Sequence, residues 1–139
     1  MDIVTNKLKV DNKRRIILPK DMGIVPDTKI AFMHDMYRTK LSLYYEKVLD
    51  EKLSELLRKI DELHRNGVID YKKSLQYKRY ICGILCYPYE VVDKSRRLIL
   101  PREAIRVLDI RDYCYTVSDN DHIDLYRDEE SYLKLKHTL

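Results

Sequence analysis

Apolar positions along the chain follow two rhythms, and the change between them divides it. Near the N-terminus Lys7-Leu8-Lys9-Val10 alternates polar and apolar, the period of a half-buried strand. Arg15-Ile16-Ile17-Leu18 is a short apolar run stopped by Pro19, which has no N–H for a ladder and ends the strand. Asp11 to Arg14 between them predicts a turn. Lys29 to His34 and Lys40 to Tyr44 predict two further strands around a polar turn at Asp35 to Thr39. The middle of the chain is helical in pattern. Leu49, Leu53, Leu56, Ile60 and Leu63 are spaced 4, 3, 4 and 3, between charged residues placed for i,i+4 pairing. Asn66-Gly67 ends this helix, and a second is predicted from Asp70 to about Gly83. Such a stripe more often packs onto its own domain than builds an intermolecular coiled coil, and packing is expected here. Strand patterning returns at Arg97 to Leu100, Tyr113 to Val117 and His122 to Tyr126, the last two around the turn Ser118 to Asp121.

The strand-rich parts are copies of one another. Val10 to Pro19 reappears as Val92 to Pro101, with seven of ten positions identical at an offset of 82. Without a gap, the same offset brings Val25 onto Val107, Asp27 onto Asp109, and Leu41-Ser42-Leu43-Tyr44 onto Ile123-Asp124-Leu125-Tyr126. The chain therefore reads as a tandem duplication: a first repeat over 1–46, a helical insert over 47–84, and a second repeat with a C-terminal tail over 85–139. A half of about 44 residues is near the size at which a single core fails without disulfides, metal or oligomerisation. The physical solution is one core shared about a pseudo-twofold axis, an arrangement that allows the hairpins to interleave.

Composition narrows the function. With 139 residues, 45% hydrophobic and 36% charged, the chain is of globular composition. Its three glycines lie too far apart for a P-loop or a G-x-G-x-x-G turn. The longest uncharged stretch, Tyr80 to Tyr89, is too short to span a bilayer. No secretion signal is read at the N-terminus, so a cytoplasmic location is expected. Cys82, Cys86 and Cys114 are expected to be buried thiols. No catalytic constellation emerges, and neither enzyme activity nor a cofactor is expected. Asp119, Asp121 and Glu130 fall on three EF-hand positions, but Asp124 replaces the required glycine, so a hairpin turn is expected instead. The cysteine spacing does not suit zinc, and His34, His64, His122 and His137 are scattered. Most of the twelve tyrosines are expected to pack rather than to stack on bases.

Charge acquires meaning only when it is located. The chain carries a net +4. Residues 7–20 hold Lys7, Lys9, Lys13, Arg14, Arg15 and Lys20 against Asp11, a local +5. Residues 93–106 hold Lys94, Arg96, Arg97, Arg102 and Arg106 against Asp93 and Glu103, a local +3. Everything else sums to −4. Segregation of this kind points to a polyanionic partner.

At the two basic turns the sequence resembles the MraZ family of bacterial transcriptional regulators, within the SpoVT/AbrB superfamily of swapped-hairpin DNA-binding domains. The likeness rests on Asp11 to Arg15 and Asp93 to Arg97, each an Asp-x-x-x-Arg motif followed by an aliphatic run and proline. Tandem arrangement, length and helical insert match as well. Two departures stand out: the family glycine before the motif arginine is Arg14 in one copy and Arg96 in the other, and the motif lysine is Lys13 but Ser95. The resemblance implies an α+β, mainly β fold of two AbrB-like swapped-hairpin β-barrel halves. It also implies a nucleoid-associated homo-oligomer, a ring or smaller, that binds double-stranded DNA at promoter repeats.

A two-stranded ribbon fits the major groove, where arginine makes a bidentate contact to guanine. Arg15 and Arg97 are assigned to base or groove contacts, oriented by Asp11 and Asp93. Lys9, Lys13, Arg14, Lys94 and Arg96 complete the expected DNA-binding set, mainly through phosphates. The plainer reading, that the Asp–Arg pairs are only hairpin salt bridges, is compatible with this one. An antitoxin of the same superfamily, binding DNA and a protein partner, is the alternative function.

Overall fold

The computed structural model describes residues 3–138, with side chains as far as Leu135, so His137 lies outside the described side chains. Among the described residues, eight strands form two antiparallel sheets. The first repeat supplies β1 (Val4–Lys9), β2 (Arg15–Ile17), β3 (Lys29–His34) and β4 (Leu41–Tyr45). The second supplies β5 (Cys86–Val91), β6 (Arg97–Ile99), β7 (Tyr113–Ser118) and β8 (His122–Tyr126). One sheet has six strands in the order β1-β7-β8-β4-β3-β5, and the other is a two-stranded ribbon of β2 and β6. Exchanging each strand for its counterpart reverses the six-strand order onto itself, so a pseudo-twofold axis passes between β4 and β8.

Neither sheet closes on itself: the structure is mixed, with mostly antiparallel strands and helices, and it does not show the barrel that the resemblance implies. β1 forms no ladder with β2: β1 pairs with β7 of the other repeat, and β2 pairs with β6. The first strand of each repeat thus lies in the other's territory, with β5 beside β3. Pro88 sits in β5, an edge strand, where a missing N–H is tolerated, and the β3–β5 register shifts between Ile30 and Phe32.

Both repeats feed one core. Ile16, Leu18, Ile30, Phe32, Leu41 and Leu43 meet Val92, Leu98, Leu100 and Leu125, all at most 2% exposed. The repeats diverge after their prolines. Lys20–Met22 makes one 3-10 turn, whereas α3 (Arg102–Leu108) continues as a helix. The duplication explains it: Gly23, at φ 72°, stands where the second copy has Ile105, and Pro26 stands where it has Leu108.

In the insert, α1 (Glu46–Arg65) packs against α2 (Tyr71–Tyr80), β3 and β4. Of the stripe, Leu49 and Ile60 are buried while Leu63 is exposed. Asp70 caps α2 by accepting from the Lys73 N–H at 2.7 Å. The helix predicted to reach Gly83 stops at Tyr80 and passes into a π-helical turn, Ile81–Leu85. The C-terminal tail forms α4 (Glu129–Thr138). Among the described residues no helix is long and apolar enough to cross a membrane. The cysteines are free, but only Cys114 is fully buried, and burial pushes its thiol up to about 12; Cys82 is exposed, against expectation. It lies on the π-helical turn.

A charged network ties the repeats together at the axis. Asp124 accepts from Ser42 Oγ at 2.6 Å and meets Lys40 Nζ at 3.1 Å and His122 Nε2 at 3.3 Å. The Asp124 side chain is only 13% exposed. Burial raises its carboxyl, but contacts from His122, Ser42 and Lys40 more than offset this and leave it below the usual range. Bonds to Asp124 and then to Asp121 hold His122 above its ordinary 6.5. A histidine raised on folding stabilises most fully below its unfolded value and loses that contribution as pH rises through the folded one. His34, which burial lowers, acts in the opposite sense, its contribution growing as pH rises through its lowered value toward 6.5. Stability is therefore expected to fall as pH rises through the window just above 6.5, before unfolded cysteines at about 8.5 add a fall of the same sign. Urea midpoints across that window check this, and His122→Gln should flatten the slope.

Candidate nucleic-acid interface

Each Asp-x-x-x-Arg motif folds into the same turn. Asp11 Oδ1 accepts the N–H groups of Lys13 at 2.9 Å and Arg15 at 2.8 Å, and Oδ2 accepts Arg15 Nε–H at 2.8 Å. Asp93 repeats this with Ser95 at 2.9 Å, Arg97 N–H at 2.8 Å and Arg97 Nε–H at 2.7 Å. Main-chain bonds close both loops: the fourth residue donates to the Asp carbonyl, and the Asp N–H donates to the arginine carbonyl, all at 3.0 Å. The backbone N–H of the motif arginine, followed by its side chain, holds each aspartate below the usual carboxylate range. Asp takes only the Nε–H of its arginine. Among the described residues the Nη donors of Arg15 and Arg97 have no hydrogen-bond partner, which leaves a two-pronged fork for an outside acceptor.

The residues at the family glycine position have a second task. Arg14 and Arg96 adopt φ of 61° and 64°, the left-handed region that glycine takes freely and other residues enter at a cost. Their main chains and side chains both reach across the axis. Arg14 carbonyl accepts Leu100 N–H at 2.8 Å and its Nε donates to Leu100 carbonyl at 3.3 Å. Arg96 carbonyl accepts Leu18 N–H at 2.8 Å, its Nε donates to Leu18 carbonyl at 2.9 Å, and its Nη2 donates to Pro19 carbonyl at 3.3 Å. Each thus fastens its turn to the end of the opposite ribbon strand. Arg14→Ala keeps the strained backbone and loses the side-chain bond, so a cost of about 1–2 kcal/mol is expected. Arg14→Gly loses the same bond but relieves the strain, and should lie within about 0.5 kcal/mol of the native chain. Urea denaturation of both variants checks the order.

The turns flank the ribbon. Its register pairs Arg15 with Ile99, Ile16 with Leu98 and Ile17 with Arg97. Ile16 and Leu98 are 0% exposed and root the ribbon in the core. Alternation therefore turns Arg15, Ile17, Arg97 and Ile99 to the other face. Lys13 and Lys94 are exposed in the turns, and Lys9 is exposed on β1 opposite Tyr113. Of the residues singled out in the sequence, Arg15 and Arg97 come together on one face. Arg14 and Arg96 are engaged at the ribbon ends. In the sequence Ile17 and Ile99 sit inside apolar runs; the signal for their outward position is their place between Ile16 and Leu18, and between Leu98 and Leu100. The Asp119 to Asp121 cluster lies in the β7–β8 turn, with Asp121 paired to Lys52 at 3.3 Å.

The chain has a distant relative among known proteins. The chain is similar to the transcriptional regulator MraZ of Bacteroides thetaiotaomicron. The two are 21% identical over 131 residues, covering 90% of this chain and 77% of the regulator. No family model matches. The similarity is distant, but it runs through both repeats and the insert.

Proposed function

We propose that this chain is a sequence-specific, DNA-binding transcriptional regulator of the MraZ type. The observation that carries the reading is the two-stranded ribbon with an aspartate-held arginine on each strand, related by the pseudo-twofold axis. Arg15 and Arg97 enter the major groove and take guanine edges through their free Nη groups. Lys9, Lys13 and Lys94 meet phosphates and set the register. Arg14 and Arg96 add charge beside them while fastening the turns. The swapped strand pairing, the boundaries 1–46, 47–84 and 85–139, and the absence of a catalytic constellation belong to this same reading.

One ribbon offers few base contacts, so a single module binds weakly. A homo-oligomer raises affinity at repeated promoter sites through effective concentration when module and site spacing agree. A duplex-binding titration against salt tests the proposal. Each phosphate contact steepens log K against log salt by roughly 0.9, so three to five such contacts predict a slope near −3 to −4.5 per module. A flat response removes the proposal's electrostatic basis.

A further inference from the structure

The outward face of the ribbon carries two exposed β-branched residues that the charge-based reading leaves unused. Ile17 is 62% exposed and Ile99 39% exposed. Ile17 stands directly across from Arg97, and Ile99 directly across from Arg15. Cross-strand partners on one face have Cβ atoms about 5 Å apart. The face is therefore two arginine–isoleucine pairs, one diagonal cationic and the other aliphatic. An apolar docking surface for a protein would be continuous, and charges set into its centre would cost desolvation.

The alternating face suits a major groove. There guanine presents N7 and O6 to a guanidinium, and thymine presents a C5-methyl group that only an apolar side chain rewards. Partners about 5 Å apart can address bases one or two steps apart, given about 3.4 Å between base pairs. The two Arg–Ile pairs are two residues apart along the ribbon, about 6.7 Å, which again corresponds to about two base-pair steps.

Resting on the DNA-binding reading above, we propose that Ile17 and Ile99 are specificity-determining residues that read thymine methyl groups beside the guanines taken by Arg97 and Arg15. The site is then a short inverted element in which each guanine has a thymine within one or two base pairs. Isoleucine supplies discrimination at positions where arginine supplies none, and the twofold ribbon presents it twice.

The experiment begins with selection of duplexes from a random library by the full chain. Each thymine of the selected duplex is then replaced by uracil, which removes only the methyl group. Native chain is expected to bind about fourfold more weakly for each methyl that it reads, the factor for one buried methyl group. Ile17→Ala/Ile99→Ala should bind thymine and uracil duplexes equally, at an affinity near that of native chain for the uracil form. Both positions are surface-exposed, and an unchanged melting curve shows that the variant is folded. Native chain indifferent to uracil, or a double variant that still discriminates, overturns the proposal while leaving DNA binding intact. Failure to enrich any duplex overturns the DNA-binding reading and this proposal with it.

Discussion

Leu98→Ala is expected to lower stability by about 2–5 kcal/mol, the cost of truncating a fully buried leucine whose surroundings relax only in part. Leu98 is 0% exposed and packs in a core that both repeats build. Its cross-strand partner Ile16 is equally buried, and the ribbon has only three residue pairs, so few other contacts compensate. For a domain of this size such a loss is a large share of the total. Urea unfolding of Leu98→Ala beside Ile99→Ala checks it, because the neighbouring side chain faces outward. The exposed substitution should cost under about 0.5 kcal/mol. Equal losses would mean that the inward and outward faces of the ribbon have been assigned wrongly.

Arg15→Ala/Arg97→Ala is expected to reduce duplex affinity about thirtyfold to twenty-thousandfold. Each bidentate arginine–guanine contact is worth about 1–3 kcal/mol, and two are lost. The fold should survive: the arginine backbone N–H groups still satisfy Asp11 and Asp93 after truncation, and both side chains lie at the surface of the ribbon. A selected duplex, titrated by fluorescence anisotropy with circular dichroism as the folding control, supplies the measurement. Lys13→Ala/Lys94→Ala provides the contrast. It should weaken binding to all sequences alike and shallow the salt slope by roughly 2, because those side chains are assigned to phosphates. If the arginine variant binds as tightly as the native chain, the Asp–Arg pairs are structural only.

Much of the fold was legible because alternation and helical periodicity report which face of an element is buried. Strands over Lys29 to His34 and His122 to Tyr126 match the pattern to the residue, and α1 follows its stripe. Periodicity does not report partners. Nothing local distinguishes β1 beside β2 from β1 beside β7, and the tight Asp11–Arg15 turn redirects the chain without continuing the ladder. The π-helical turn before β5 likewise has no periodic signal, whereas the 3-10 turn ends at Gly23, which the sequence does mark.

The site was legible in part for a related reason. Asp11, Arg15 and their copies stand in a repeated motif, so their pairing could be anticipated. Arg14 and Arg96 read as free charges because a sequence does not show φ, and their hold on opposite-strand carbonyls depends on the swap. One signal was present and unused. Asp128-Glu129-Glu130 opens α4, with Asp128 accepting the Ser131 N–H at 2.7 Å as a helix cap.

On the proposed function, the ribbon binds duplex DNA through its paired arginines. The most direct test is titration of the native chain with the duplex from upstream of its own gene at several salt concentrations, in parallel with Arg15→Ala/Arg97→Ala. Saturable, salt-steep binding by the native chain, weakened about thirtyfold or more in the variant, is the predicted result. No binding by the native chain, or identical isotherms for the two proteins, would contradict it.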